Sequence, residues 1–196
     1  MALDEAAGTA AIPDGVEIDL GSVAKGFTGD VLTGLLKEYG VESAMLDLGG
    51  NIQTVGLKPD GSLWRVGVQD PDGDGILGVV EAAELAVITS GGYERYFEQD
   101  GVRYWHIIDP DTGAPARSGL ASVTVAGESG AVCDALSTAL FVMGRESAVA
   151  FWRQYRDELR FELVLVDDDG SVTVTAGLED SFILVQTGRN LTVVRP

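Results

Sequence analysis

The sequence predicts an α+β fold, a single compact domain of mostly antiparallel sheet packed with a few helices. Many short alternating or apolar segments are bounded by Gly, Pro and Asp turns, only three segments have helical spacing, and no linker or repeat divides the chain. With 196 residues, 45% of them hydrophobic, the chain is long enough for one sizeable core. Residues 1–15 show no periodic pattern, so we expect a tail or a truncated remnant there, and the domain over residues 16–196.

In the first half of the chain, an apolar segment predicts a strand at 16–20. Apolar residues recurring every four positions then predict a helix over 22–39, which Gly40 ends. Strands follow at 43–48 and 52–57 around a Gly-Gly-Asn turn, and at 63–68 after a Pro-Asp-Gly turn. Further strands are predicted at 77–80 and 86–89, in the segment YERYFEQDG, and at 102–108.

The second half begins with a β-rich segment at 120–126. Two helices are predicted at 131–143 and 145–159, separated by Gly144. A hairpin at 161–166 and 171–175 surrounds the turn DDDG, and short strands at 182–185 and 191–194 complete the chain.

The charge excludes several classes of function. Lys and Arg total 13 and Asp and Glu total 31, which gives a net charge of −18. A chain this acidic repels phosphate backbones, so we expect no nucleic-acid partner, and a phosphate-bearing ligand would need a cation. The single cysteine, Cys133, excludes an internal disulfide, and the single histidine, His106, excludes multi-histidine metal sites.

Three short motifs match known sequence patterns, and the context of two of them argues against the match. Ser22 and Lys25 fit the penicillin-binding motif, but no Lys-Thr-Gly strand accompanies them. The glycines at 73, 75 and 78 fit a dinucleotide fingerprint, but carboxylates surround them and no helix follows. Residues 70–81 match the calcium-loop expression in full, although a strand precedes them; a calcium-stabilised β domain and a plain acidic hairpin loop both remain open.

Three other segments carry side chains suited to chemistry. In IDLGSVAKGF, Lys25 lies in the first turn of the predicted helix, where an ammonium and helix amides suit a phosphate; a surface helix start is the alternative. In WHIIDPDTG, His106 is of the residue type that most often moves protons near neutral pH, although a structural role is also open. In CDALSTAL, Asp134 and Thr138 are one helical turn apart and offer oxygen ligands for Mg²⁺, or a buried hydrogen-bonded pair.

Taken in order, the blocks DLGSVAKG, LDLGGNI, TSGGYERYF, HIIDPDTGAP and VCDALSTALFVMG resemble the ApbE family, the FAD:protein FMN transferases, from about residue 16 to about residue 185. The resemblance implies transfer of the FMN half of FAD to a Thr or Ser hydroxyl of a partner flavoprotein, with loss of AMP and a requirement for Mg²⁺. It implies metal ligands at Asp134, Thr138 and the backbone of Ser22, FAD contacts at Asp19, Lys25 and Ile108, and activation of the acceptor hydroxyl by His106.

Other functions remain open as alternatives to flavin transfer. Water in place of the acceptor would make the same site an FAD pyrophosphatase, and a non-catalytic flavin- or metal-binding fragment is a further alternative. Family members are longer at the N-terminus, so the resemblance implies that a preceding segment or a second chain completes the pocket. It also implies work in the cell envelope, on the outer side of the cytoplasmic membrane, although the chain carries no recognisable signal peptide.

Overall fold

The computed structural model describes residues 1–196 and confirms the predicted α+β class. The helices are α1 (Ala24–Glu38), α2 (Gly130–Met143) and α3 (Arg145–Leu159), with a 3₁₀ turn at Ala176–Leu178. The strands are β1 (Ala2–Asp4), β2 (Thr9–Ala11), β3 (Ala44–Asp47), β4 (Ile52–Val55), β5 (Trp64–Gln69), β6 (Ile76–Ala82), β7 (Ala86–Gly91), β8 (Tyr96–Gln99), β9 (Val102–Trp105), β10 (Leu120–Gly127), β11 (Phe161–Asp167), β12 (Val172–Thr175), β13 (Phe182–Leu184) and β14 (Leu191–Val194). None of the helices is long and apolar enough to cross a membrane.

A seven-stranded sheet with the order β14-β12-β11-β10-β7-β4-β3 forms the centre of the molecule. Its pairs are antiparallel except for β12 and β14, which are parallel. A smaller antiparallel sheet has the order β13-β6-β5, and β1-β2 and β8-β9 are separate hairpins. Short turns join the antiparallel neighbours β3 and β4, and β11 and β12, whereas longer connections join the other antiparallel pairs of the central sheet.

Both faces of the central sheet are covered. On one face, Leu163 and Leu165 of β11 pack with Phe141 of α2 and Trp152 of α3 in a fully buried cluster. On the other face, Val164 and its neighbours pack against the small sheet. Because alternate strand residues point to opposite faces, the apolar residues of the segment FELVLV contribute to both cores.

Helix α1 packs against α2 and β4 through glycines rather than through its large apolar residues. Gly26 and Gly130 allow the two helix backbones to approach so closely that a Cβ on Gly26 would lie 2.1 Å from the Gly130 carbonyl oxygen. The apolar series Phe27, Val31 and Leu35 is on the exposed side, with Phe27 60% accessible. The spacing of the apolar residues predicted the helix, whereas the close approach of the α1 and α2 backbones determines which side of α1 faces the domain.

Two predicted strands differ from the structure. Residues 16–20 are exposed and form no strand, because no other strand of the chain pairs with them. The strand predicted at 102–108 ends at Trp105, since its partner β8 begins at Tyr96, opposite Trp105. His106 therefore lies just beyond β9. Within residues 1–15, the structure has the β1-β2 hairpin, all of whose strand residues are exposed.

Candidate functional site

A cavity of about 490 Å³ opens where the N-terminal end of α1, the β3-β4 turn, β7 and α2 meet, and no apolar side chain lines it. It contains five of the residues selected from the sequence: Asp19, Lys25, His106, Asp134 and Thr138. The other lining residues are Gly21, Gly49, Asn51, Thr89, Ser90, Glu94 and Arg95. Segments more than a hundred residues apart thus supply acidic, basic and hydroxyl groups to one place.

Asp134 joins the two helices that border the cavity. Its Oδ2 accepts a hydrogen bond of 2.8 Å from the backbone N–H of Gly26, and only 4% of the residue is exposed. Its Oδ1 accepts no hydrogen bond within the chain. A buried carboxylate with one oxygen fixed and one free is oriented to bind a cation or a donor in the cavity.

Thr138 lies one turn after Asp134 and is held from the sheet side. Ser90 of β7 is 3.2 Å from the Thr138 hydroxyl and 2.8 Å from the Ser137 hydroxyl. The Ser137 hydroxyl in turn donates to the backbone carbonyl of Asp134 at 2.9 Å. This network fixes the face of α2 that carries Asp134 and Thr138, as the four-residue spacing predicted.

A second carboxylate holds the start of α2 against α1. Asp30 of α1 accepts hydrogen bonds from the Ser129 hydroxyl and from the backbone N–H groups of Gly130 and Ala131, at 2.6 to 3.0 Å. These amides belong to the first turn of α2, which has no partners for them within the helix. Gln53 of β4 completes the junction by donating to the carbonyl of Gly26 at 2.9 Å.

The β3-β4 turn places an amide beside Lys25. Gly49 and Gly50 have φ angles of +68° and +89°, which only glycine adopts readily, and they turn the chain so that Asn51 faces the cavity. The ammonium of Lys25 donates to Oδ1 of Asn51 at 2.9 Å. Lys25 is therefore held at the N-terminal end of α1, where the helix dipole favours an anion.

His106 is oriented by the backbone. Its Nδ1 lies 3.3 Å from the carbonyl oxygen of Arg95. Because a carbonyl only accepts hydrogen bonds, Nδ1 is the protonated nitrogen, and Nε2 is left as the acceptor. An imidazole in this tautomer, lining the cavity, is able to take a proton from a bound hydroxyl group.

Glu94 is one of three acidic residues that line the cavity, with Asp19 and Asp134. The residue is exposed overall, but its carboxyl lies against the cavity wall, and partial burial there raises its pKa above the ordinary value of a glutamate. The charges of Lys25, His106 and Arg95 oppose that rise in pKa. The cavity thus brings the cations of Lys25 and Arg95 close to carboxylates in a chain that is strongly acidic as a whole.

The free Oδ1 of Asp134 and the Thr138 hydroxyl fit Mg²⁺, because carboxylate and hydroxyl oxygens are the ligands that this hard cation prefers. Ser22 and Ile108 are not among the residues that line the cavity. Ser22 lies in the turn before α1, and Ile108 forms an isolated bridge with Pro115. Their suggested roles stay predictions.

The loop that matches the calcium expression is occupied by an arginine. The guanidinium of Arg189 contacts Asp70 at 2.5 Å and Asp72 at 2.7 Å, and the loop joins two strands rather than two helices. No group of three or more His, Cys, Asp or Glu side chains is arranged to hold a metal ion. The structure therefore favours the acidic hairpin loop over the calcium site.

Five of the residues that line the cavity were not predicted from the sequence: Asn51, Thr89, Ser90, Glu94 and Arg95. All five lie in the blocks LDLGGNI and TSGGYERYF, which carried part of the resemblance. Their position in these blocks was the one feature of the sequence that could have indicated them, because an amide, a hydroxyl or a surface charge does not indicate function by residue type alone.

The fold and the cavity together define an α+β domain with a polar site suited to a phosphate and a divalent cation. The model of the ApbE family matches residues 1–161. The chain is 41% identical over 176 residues to the FAD:protein FMN transferase of Treponema pallidum (strain Nichols), covering 85% of this chain and 48% of that protein. It is 40% identical over 155 residues to the FAD:protein FMN transferase of Vibrio cholerae, covering 78% and 46%.

Solved structures agree with these matches. The crystal structure of the ApbE protein from Thermotoga maritima has a TM-score of 0.81 and 35% identity, covering 92% of this chain and 58% of that one. The flavin transferase ApbE from Vibrio cholerae has a TM-score of 0.71 and 35% identity, covering 83% and 52%. This chain belongs to the ApbE family. It spans about half the length of the curated relatives it matches.

Proposed function

We propose that this chain carries the reaction site of a flavin transferase, which moves the FMN half of FAD to a Thr or Ser hydroxyl of a partner flavoprotein and releases AMP. The observation that carries the proposal is the convergence of Lys25, His106, Asp134 and Thr138 on one polar cavity. The names of the relatives, which are FAD:protein FMN transferases, support the choice of FAD as substrate.

The proposed reaction forms one phosphoester bond and breaks one phosphoanhydride bond. The acceptor hydroxyl oxygen attacks the phosphorus of the FMN half, and the bond from that phosphorus to the bridging oxygen breaks, so that AMP leaves with the bonding electron pair. Nε2 of His106 takes the hydroxyl proton, since Nδ1 is held by the Arg95 carbonyl. Lys25 places a positive charge beside the phosphates at the start of α1.

Asp134 and Thr138 would hold Mg²⁺ in this site, with the backbone carbonyl of Ser22 as a third ligand. When bound, the ion neutralises phosphate charge, which a chain of net charge −18 otherwise repels. The hydrogen bond from Gly26 to Asp134 and the contact of Ser90 with Thr138 orient the two side chains for this purpose.

The test uses the chain, FAD, Mg²⁺ and an acceptor flavoprotein with one target Thr, compared with the same acceptor carrying Thr→Ala. We expect AMP to form in step with covalently bound flavin on the Thr acceptor alone. AMP and free FMN at equal rates with both acceptors would instead identify an FAD pyrophosphatase. FAD binding without any AMP would identify a non-catalytic fragment, and either result contradicts the proposal.

The role of His106 is tested by His106→Gln. The amide keeps a group able to donate to the Arg95 carbonyl but does not accept a proton, so we expect transfer to slow by about 10²–10⁴-fold. FAD affinity should change little, because the imidazole acts on the acceptor. A variant that transfers flavin at the original rate would exclude His106 as the base.

A further inference from the structure

The β8-β9 hairpin is a separate two-stranded sheet whose two ends both lie at the cavity. Arg95, the residue before β8, and His106, the residue after β9, are lining residues. Nδ1 of His106 lies 3.3 Å from the carbonyl oxygen of Arg95, so the imidazole itself closes the open end of the hairpin. The hairpin surface is therefore fixed relative to the side chain that is proposed to take the proton of the acceptor hydroxyl.

One face of the hairpin is directed at the domain. The indole N–H of Trp105 donates to the carbonyl of Ala116 at 3.1 Å, and its ring meets the Phe141 ring edge-on. Arg103 lies on the same face as Trp105, two positions earlier in β9, and pairs with Glu98 at 2.8 Å. The charged side chains of the two strands thus share the face that carries the inward-directed Trp105.

The opposite face of the hairpin is uncharged. It carries two cross-strand pairs, Phe97 with Tyr104 and Gln99 with Val102. The Phe97 and Tyr104 rings are stacked with their centroids 5.1 Å apart, and Phe97 is 60% accessible. Exposed apolar surface without charge is typical of contact sites for other proteins, and aromatic side chains are enriched in such sites. In a chain of net charge −18, this face therefore indicates a surface for a protein partner.

A groove of about 470 Å³ adjoins the same face. Val102 and Tyr104 form one wall, and residues of the turn 109–115 belong to the other. His106 lies between these two walls in the sequence, two residues after Tyr104 and three residues before the turn. A polypeptide segment bound in the groove therefore contacts the segments that immediately precede and follow the imidazole.

We propose that the uncharged face of the β8-β9 hairpin and the adjoining groove form the docking surface for the acceptor flavoprotein, with Phe97 and Tyr104 binding an apolar side chain near its target hydroxyl. The inference rests on the proposed function, since it takes a protein hydroxyl as the acceptor. Such an acceptor has to approach on the side of His106, because its hydroxyl must come within hydrogen-bond distance of Nε2. An apolar segment binds this face without burying an unpaired charge.

Phe97→Ser tests the inference, because it removes the more exposed ring of the aromatic pair and adds no charge. We expect the KM for the acceptor flavoprotein to rise by about tenfold or more, while kcat and FAD affinity stay within about twofold, since Phe97 does not line the cavity. Phe27→Ser is the matched control: Phe27 on α1 is also 60% accessible, and all three quantities should stay unchanged. Phe97→Tyr retains the ring and should keep the original KM.

Binding of the acceptor without turnover provides the second readout. The acceptor that carries Thr→Ala has no target hydroxyl, so calorimetric titration of it into the chain measures docking alone. We expect its Kd to rise by the same factor in Phe97→Ser and to stay unchanged in Phe27→Ser. A misfolded fraction of a variant lowers the number of binding sites and leaves the Kd of the folded fraction unchanged, so the titration distinguishes loss of folding from loss of docking.

The outcomes separate this inference from the proposed function. If the original chain transfers flavin and Phe97→Ser keeps the original KM, the acceptor docks elsewhere and the proposed function stands. A fall in kcat with an unchanged KM, or an equal rise in KM in Phe27→Ser, also overturns the assignment of the docking surface. If the original chain transfers no flavin to the acceptor, the proposed function fails and this inference fails with it.

Discussion

The close contact between α1 and α2 predicts that one methyl group is enough to damage the site. In Gly26→Ala the new Cβ would lie 2.1 Å from the carbonyl oxygen of Gly130 and 2.7 Å from Cβ of Asp134. These atoms belong to backbone and to a short, buried side chain, so the helices must move apart. The movement strains the hydrogen bond from the Gly26 N–H to Asp134.

The magnitude follows from three effects. Overpacking a tight contact costs about 1–3 kcal/mol, and loss of a buried hydrogen bond to a carboxylate costs about 1.5–3 kcal/mol. Alanine in place of glycine inside a helix raises the free energy of unfolding by about 1 kcal/mol through its higher helix propensity. We therefore expect Gly26→Ala to lower the free energy of unfolding by about 1.5–5 kcal/mol. Because Asp134 moves relative to Lys25, turnover of FAD should fall by about 10²-fold.

Gly34→Ala is the matched control in the same helix. A Cβ there meets no atom within 4 Å, so only the helix propensity changes and stability should rise by about 0.5–1 kcal/mol. Urea unfolding followed by tryptophan fluorescence gives both free energies, because Trp152 is fully buried. Equal unfolding midpoints for the two variants would refute the view that α1 and α2 meet through Gly26.

Three further predictions concern other carboxylates. Asp30→Asn should lower the free energy of unfolding by about 1–2 kcal/mol in urea, because the charge at the first turn of α2 is lost; an unchanged midpoint would exclude the capping role. Arg189→Met leaves the buried Asp70 without its cation and should lower the free energy of unfolding by about 3–5 kcal/mol. Millimolar calcium should leave the thermal unfolding midpoint of the unsubstituted chain unchanged. The raised pKa of Glu94 means that its carboxyl binds a proton more tightly in the folded chain than in the unfolded chain, so its contribution to stability falls as pH rises above about 4.5. Glu94→Gln should flatten that part of the curve of stability against pH. An identical curve would contradict the burial of the carboxyl.

Local sequence signals were enough to predict most of the elements. The helix predicted over 22–39 is observed at Ala24–Glu38, and the one predicted over 145–159 is observed at Arg145–Leu159. Both are bounded by glycine, which ends or separates helices because it readily adopts positive φ, as Gly40 and Gly144 do. The spacing of Asp134 and Thr138 also placed them on one helix face before any tertiary contact was known.

Long-range packing determined which side of α1 faces the domain and which additional residues line the cavity. The apolar series from Phe27 to Leu35 indicated a helix, yet the side that packs is the one with Gly26, since close approach of two helices requires small residues rather than large apolar ones. Asn51 and Ser90 become site residues only when β4 and β7 pair in the central sheet. No local pattern reports such pairings, because the segments concerned are far apart in the chain.

The most direct test of the account is the effect of Mg²⁺ on FAD binding to the chain and to Asp134→Asn. The asparagine keeps an oxygen for the N–H of Gly26 but loses the charge that the cation needs. We predict that Mg²⁺ strengthens FAD binding to the original chain by about tenfold or more, and that the substitution removes this effect while leaving Mg²⁺-free binding nearly unchanged. FAD affinity that is independent of Mg²⁺ in both proteins would contradict the central claim that Asp134 and Thr138 hold a cation against the phosphates.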